Sequence, residues 1–315
     1  MGATEEPAVR VRAMVEGDLD SADRAMRLAF GTFRGLSDPS AAFGDAESVR
    51  TRFRAAPDCA WVAEADGEVV GSVLAARWGS FGFFGPLTVH PERWDRGVGS
   101  RLLEPVLEAF ERWGVRQAGL FTFPSSPKHI GLYQKHGFWP GFLIAVMAKP
   151  VVPSAGAYSL YSQAPVADSL EEIRRLTDSV FAGLDLEREI LAVTTQGIGD
   201  TVLVHGEGRL DGMAVCHRGA GSEAGSGNCY VKFGAVRSGA SAGDRFERLL
   251  DACESFAVES GLERLIAGCN TGRLDAYRRL LSRGFHAELI GVSMRLRPDE
   301  PDFDSPGHYV LDDLR

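Results

Sequence analysis

The residues of this 315-residue chain best suited to chemistry lie in one stretch, Leu87-Thr-Val-His-Pro-Glu-Arg-Trp-Asp-Arg-Gly-Val-Gly-Ser-Arg-Leu-Leu103. An apolar strand ends at Val89 and Pro91 stops it. A loop carrying Gly97 and Gly99 then opens a helix near Ser100. Such a junction is an anion site. The first-turn N–H groups of a helix lack internal partners and stand at the positive end of its dipole. Glycine lets backbone approach a ligand closely and tolerates φ > 0. Arg93, Arg96 and Arg101 add positive charge. A Gly-x-Gly alone fits a tight turn edged by solvated arginines equally well. The stretch is not a dinucleotide fingerprint, because a third glycine is missing and the segment does not open the fold. No Gly-Lys-Ser/Thr follows, so it is not a phosphate-binding Walker loop either.

The elements that position this junction alternate. Val9–Ala13 reads as a strand and Asp18–Phe30 as a helix, with Ala22, Ala25, Met26 and Ala29 at helical spacing. Residues 35–58 are polar and turn-rich, with a short helix near Asp45–Arg54. Cys59–Ala65, Asp66-Gly67 and Glu68–Arg77 form a hairpin, since Asp-Gly suits a two-residue turn. A strand at Phe83–Val89, a helix at Ser100–Trp113, a strand at Ala118–Phe123, a helix at Lys128–His136 and a strand at Phe142–Ala148 follow. Alternation of this kind predicts an α/β (α+β) layer fold.

A similar order recurs after a Pro- and Gly-bearing linker at 151–157. It comprises helices at Leu170–Phe181, Asp244–Glu259 and Asp275–Arg283. Its strands are Thr201–His205, Leu210–His217, Tyr230–Val236, Leu265–Cys269 and Leu289–Leu296. A shift of 147 superposes Val89 on Val236, Leu102-Leu103 on Leu249-Leu250, Gly114 on Gly261 and Gly137-Phe138 on Gly284-Phe285. A shift of 141 superposes Gly67 on Gly208 and Gly71 on Gly212. The difference falls in the glycine-rich stretch Gly219–Gly227, where an insertion costs little. The chain reads as one unit duplicated, residues 1–150 and 158–315.

Composition excludes several classes. Net charge is −9 and 44% of residues are hydrophobic, which argues against disorder, nucleic-acid binding and an anionic-membrane surface. Only four of the 34 basic residues are lysine, a bias that points to a GC-rich bacterial genome. The five cysteines are widely spaced with no Cys-x-x-Cys pair, so a zinc or other metal site is not expected and reduced buried thiols are. Residues 1–10 lack an apolar core, Glu6 stands where myristoylation wants Ser or Thr, and no apolar run is long enough to span a membrane. The expectation is a cytoplasmic protein, monomer or homodimer, with no nucleic-acid or membrane partner.

Val89-x-Pro91, then Gly97-x-Gly99 opening a helix, resembles the acetyl-CoA pyrophosphate loop of the GNAT superfamily of N-acetyltransferases. Leu132-Tyr133-x-x-x-Gly137-Phe138 resembles that family's downstream signature. The likeness covers residues 7–150 well and 158–297 more weakly. It implies two tandem domains, each a mixed sheet flanked by helices, with acetyl-CoA as cosubstrate and no metal. The resemblance further implies that Leu87, Thr88 and Val89 hold the pantetheine arm through their backbone. Asp95, Arg96, Gly97, Val98, Gly99 and Ser100 would cradle the pyrophosphate. An acceptor amine would attack the thioester directly, and Tyr133 would protonate the leaving thiolate. A phenol of pKa ~10 is protonated at neutral pH and suits that task.

The chain departs from the family pattern in places. Trp94 stands where Gln or Arg is usual, Asp95 where Gly is common, and Ser126 where an Asn contacts the cofactor. Phe83 and Phe84 occupy the strand where a glutamate base often sits. His129, one helical turn before Tyr133, is the candidate base. Glu64 and Glu68 are weaker ones. In the second copy Asp244, Phe246 and Leu280 fall on Gly97, Gly99 and Tyr133, so its cofactor loop reads as degenerate. A shifted alignment would instead use Asn270 with Tyr277, or Gly239 with Gly243. The tail Pro306–Arg315 is not a family feature; it either docks across a domain or frays. The function expected is acetyl transfer to a small-molecule amine at one site in the N-terminal domain. The alternatives are a non-catalytic acyl-CoA-binding regulator and a protein or peptide acetyltransferase.

Overall fold

The computed structural model describes residues 8–163 and 166–315. The first half runs β1 (Arg10–Ala13), α1 (Leu19–Phe33), α2 (Ser48–Ala55), β2 (Ala60–Ala65), β3 (Glu68–Trp78) and β4 (Phe81–Val89). Then come α3 (Val98–Trp113), β5 (Gln117–Thr122), α4 (Pro127–Lys135) and β6 (Trp139–Pro150). The second half runs β7 (Ser159–Leu160), α5 (Val166–Val180), α6 (Glu187–Thr195), β8 (Gly199–His205), β9 (Leu210–Arg218) and β10 (Asn228–Val236). It ends with α7 (Ala242–Glu259), β11 (Arg264–Asn270), α8 (Leu274–Ser282), β12 (His286–Arg295) and β13 (Val310–Leu311).

Local chemistry explains the elements around the site. Asp66 and Gly67 both take positive φ, 53° and 80°, the two-residue turn that Asp-Gly favours. Leu102, Leu103, Val106 and Phe110 are buried on one face of α3, and Gly114 ends that helix with φ 62°. The helix α6 is not anticipated by the sequence reading. It spans little more than two turns, too short for periodicity to stand out.

All strands join one mixed sheet, ordered β1-β2-β3-β4-β5-β12-β6-β11-β10-β9-β8-β7, with β13 beside β10. The two closing strands are exchanged. Strand β12 pairs with β5 (Val292 opposite Thr122), and β6 pairs with β11 (Ile144 opposite Asn270). Strands β6 and β12 also pair with each other. Hydrogen-bonded strands therefore cross the division expected at residue 150. Periodicity marks a strand but does not say which edge it will join.

The halves also meet through a buried polar cluster. Glu223 pairs with Arg52 at 2.5 Å and with Lys232. Lys232 lies 3.4 Å from Glu189, which accepts Trp78 Nε1–H at 3.0 Å. His217 is buried beside them and accepts the Glu223 N–H through Nδ1 at 3.4 Å. Burial holds His217 down at about 4, so the folded state resists a proton that the unfolded chain accepts near pH 6.5. Stability is full above pH 6.5 and falls as the pH drops toward about 4, by up to ~3 kcal/mol. Urea unfolding at pH 7 and pH 5 should show this loss in the wild type and a smaller one in His217→Gln. Equal losses would mean that other groups carry the dependence.

Candidate active site

The site is a V between β4 and β5. These strands run parallel and pair only at Phe81–Gln117, Gly82–Ala118 and Phe83–Gly119. Beyond Phe83 they diverge, and the far edge of β4 is left without a neighbour strand. His90 N–H donates to Val70 O across the β3 side. By strand alternation the polar backbone groups of Leu87 and Val89 therefore face the V. The Thr88 side chain is buried against Ser72, 3.0 Å from its hydroxyl, and by the same alternation its backbone groups face β3, so Thr88, expected among the cofactor contacts, is turned away from the V.

Gly97, with φ 74°, is the N-cap of α3, so Val98, Gly99 and Ser100 form its first turn. Arg101 N–H is bonded to Gly97 O at 3.2 Å, which leaves the earlier N–H groups directed out of the helix. A side chain on Gly99 would point at the tips of Leu132, Leu87 and Val89, at 3.4, 3.6 and 3.9 Å. Gly97 faces open space. A diphosphate fits this cradle: bare backbone, a helix N-terminus and no bulk. Arg96 is exposed beside it.

The departures from the family pattern have local explanations. Trp94 donates Nε1–H to Val89 O at 2.7 Å, tying the loop back onto the strand. Lys128 Nζ lies 5.4 Å from the Trp94 ring centroid and 2.7 Å from an Asp95 carboxylate oxygen. Asp95 itself has φ 63°, the conformation for which glycine is common there. The Asp95 carboxylate, on the loop that leads into the N-terminus of α3, is thus paired with Lys128, which sequence spacing does not single out. Ser100 Oγ lies 2.6 Å from His136 Nε2. Ser126 caps α4 by accepting His129 N–H, and its hydroxyl lies 2.6 Å from His129 Nδ1. Both hydroxyls already have protein partners.

Tyr133 is buried on α4, its ring 5.8 Å from Phe84. Burial pushes its phenol up, opposed by a hydrogen bond with Thr122 at the end of β5. The hydroxyl is thus buried near the end of β5 and stays protonated. His129 is half-buried between Phe33 and Phe123, with ring centroids at 5.0 and 6.2 Å. Burial lowers its pKa, so it is neutral at pH 7. Glu64 is paired with Arg12 at 2.7 Å on β2, two strands from β4. Glu68 is exposed at the start of β3. Neither reaches the V. Among the described residues no group of three or more His, Cys, Asp or Glu could hold a metal ion, and no helix is long and apolar enough to cross a membrane.

The second half repeats this geometry. The Asn228–Arg264 pair of β10 and β11 is the Phe81–Gln117 pair shifted by 147, and Arg237 N–H donates to Asp211 O as His90 does to Val70. Its V is filled by the chain itself. Strand β13 pairs antiparallel with β10, Leu311 opposite Gly234 and Val310 opposite Ala235, the counterparts of Leu87 and Thr88. Val236 N–H, the counterpart of Val89, donates to Tyr309 O. The Tyr309 ring lies 5.3 Å from Phe246, the counterpart of Gly99. The tail thus docks rather than frays. The shifted alternative for a glycine loop places Gly243 in the first turn of α7 against the Arg279 guanidinium, which is paired with Glu247 at 2.7 Å. Tyr277 is half-buried and packs against the core under α7.

Comparisons with known proteins agree with this architecture. Residues 26–138 match the family model described as Acetyltransferase (GNAT) family. Over nearly its whole length it is similar in fold to a putative acetyltransferase from Pyrococcus horikoshii, at 16% identity and TM-score 0.67, covering 96% of this chain and 94% of that one. A GCN5-related N-acetyltransferase from Sphaerobacter thermophilus is similar at 18% identity and TM-score 0.56, covering 94% and 98%. One from Kribbella flavida is similar at 15% identity and TM-score 0.52, covering 93% and 72%. No curated protein matches the chain. At identities of 15–18% these likenesses are likenesses of fold.

Proposed function

We propose that the chain transfers an acetyl group from acetyl-CoA to the amine of a small molecule, at a single working site in the first half. The contrast between the two V-shaped clefts carries this reading. In the first, the edge of Leu87 and Val89 faces an open V beside Gly97 and Gly99. In the second, the tail takes the same edge and Phe246 replaces the glycine.

The first-turn amides at Val98–Ser100 hold the pyrophosphate, and the backbone of Leu87 and Val89 orients the pantetheine arm. As the amine nitrogen bonds the acyl carbon and the C–S bond breaks, Tyr133 gives its proton to the sulfur. His129, neutral and oriented through Nδ1 by Ser126, is the candidate acceptor of the amine proton through its other ring nitrogen. Calorimetric titration should count one acetyl-CoA per chain, and a panel of small amines should release free CoA. Two sites of comparable affinity, or turnover lost in Tyr277→Phe but kept in Tyr133→Phe, would reverse the assignment of halves. One tight site with no turnover of any amine, peptide amines included, would favour a binding protein.

A further inference from the structure

The segment that fills the second cleft goes on to touch the first. After β13, Asp313 accepts the Tyr230 hydroxyl at 2.8 Å and stands where Gly268 of β11 has no side chain. The chain then reaches the apex of the first V, where β4 and β5 part at Phe83 and Gly119. Two glycines flank this apex. A side chain on Gly119 would meet the Arg295 guanidinium first and would lie 3.1 Å from Leu314 Cδ1. One on Gly85 would lie 3.3 Å from the Arg315 carbonyl carbon and 3.8 Å from Leu314 O. A cavity of about 20 Å³ lies against Gly85, bounded also by Phe83, Arg52, Glu189 and Lys232.

Leu314 is held there firmly. It is 2% exposed, packs in one cluster with Phe81 and Phe83, and takes φ 51°, a left-handed conformation rarely populated by leucine. On the other face of β4, Phe84 packs against Tyr133. The apex of the V thus has the phenol on one side and Leu314 on the other. On the proposed reading, an acyl chain carried from Gly97–Gly99 along Val89 and Leu87 would run toward Gly85 at that apex.

We infer that Leu314, supplied by the second half, is the floor of the acyl pocket and that its bulk limits the donor to short acyl groups. The inference rests on the reading of the first half as the transfer site. It gives the tail a role in specificity for the working cleft as well as an occupant's place in the other. One methylene against an apolar wall is typically worth about 10- to 200-fold in discrimination.

The test compares acetyl-CoA with propionyl-CoA on one confirmed amine, as the ratio of their kcat/KM values. This ratio does not depend on the fraction of active protein. The wild type should favour acetyl by at least about tenfold, and Leu314→Ala should shift the ratio toward propionyl by about tenfold or more. Because Leu314 is buried, Leu314→Val serves as the milder variant and should shift the ratio in the same direction by less. A wild-type ratio near one, or folded variants with the wild-type ratio, would overturn the inference while leaving the transfer site in place. A wild type that binds neither thioester at Gly97–Gly99 would overturn the parent reading, and the floor with it.

Discussion

Gly99→Glu is expected to abolish measurable acetyl-CoA binding in a protein that still folds. The direction of the new side chain decides this. A Cβ at Gly99 meets only the ends of Leu132, Leu87 and Val89, none closer than 3.4 Å, so the backbone need not move. The rest of the glutamate then extends from the first turn of α3 into the cradle, where it competes with the pyrophosphate for the same N–H groups. Each charge-assisted hydrogen bond lost costs about 1.5–3 kcal/mol, and the added carboxylate against a diphosphate costs more. Losing two such bonds weakens binding by at least about a hundredfold. Gly99→Ala is the control: it adds a methyl at ordinary contact distance and should bind within about tenfold of wild type. Calorimetry on the two variants, with circular dichroism to confirm the fold, reads the result. Unchanged affinity in folded Gly99→Glu would remove the anion site from this loop.

Tyr133→Phe should lower kcat by ~10²–10⁴, the usual contribution of a positioned general acid, with the acetyl-CoA Kd nearly unchanged. The ring fills the same space against Phe84, so packing survives. What is lost is the hydroxyl and its hydrogen bond with Thr122, worth about 1 kcal/mol of stability. A purely structural tyrosine predicts that small destabilisation and nothing more. Catalysis predicts a kcat defect at temperatures where both proteins are fully folded. Burial raises the phenol's pKa, so the acid form persists throughout the neutral range and the wild-type rate should show no basic limb from Tyr133 below about pH 10. Turnover of a confirmed substrate within a factor of two of wild type would reduce Tyr133 to packing.

Much of the site was legible before the fold was known, and the reasons are local. Gly97-x-Gly99 at a strand–helix junction needs only nearby residues to form a helix N-terminus with bare backbone. Asp66-Gly67 needs only its own left-handed preference to make a hairpin. Tyr133 and Gly137-Phe138 share one short helix and the turn after it. Positions related by the shift of 147 take equivalent places in the sheet, Phe81 opposite Gln117 and Asn228 opposite Arg264. Trp94 and Asp95 read as departures, and their partners could not be foreseen. The indole bonds a carbonyl five residues back, and the carboxylate pairs with Lys128 from another helix.

The sequence by itself therefore determined the class of elements, the strand–glycine loop–helix junction, the place of Tyr133 on the helix before Gly137-Phe138, and the residues Asp244, Phe246 and Leu280 that stand at the corresponding places in the second half. Only the tertiary structure decided three things. It exchanged β6 and β12, because either half offers an antiparallel edge of suitable length and strand periodicity carries no label for its partner. It removed Glu64 and Glu68 from the cleft, because β3 stands between β2, which carries Glu64, and β4, and Glu68 opens β3 before its register with β4 begins at Gly71. It placed residues 309–315 in the second cleft and against Gly85 and Gly119 of the first. A segment of this length has no periodicity to read, and its position follows from backbone groups left unpaired on β10 and from glycines that leave room for it.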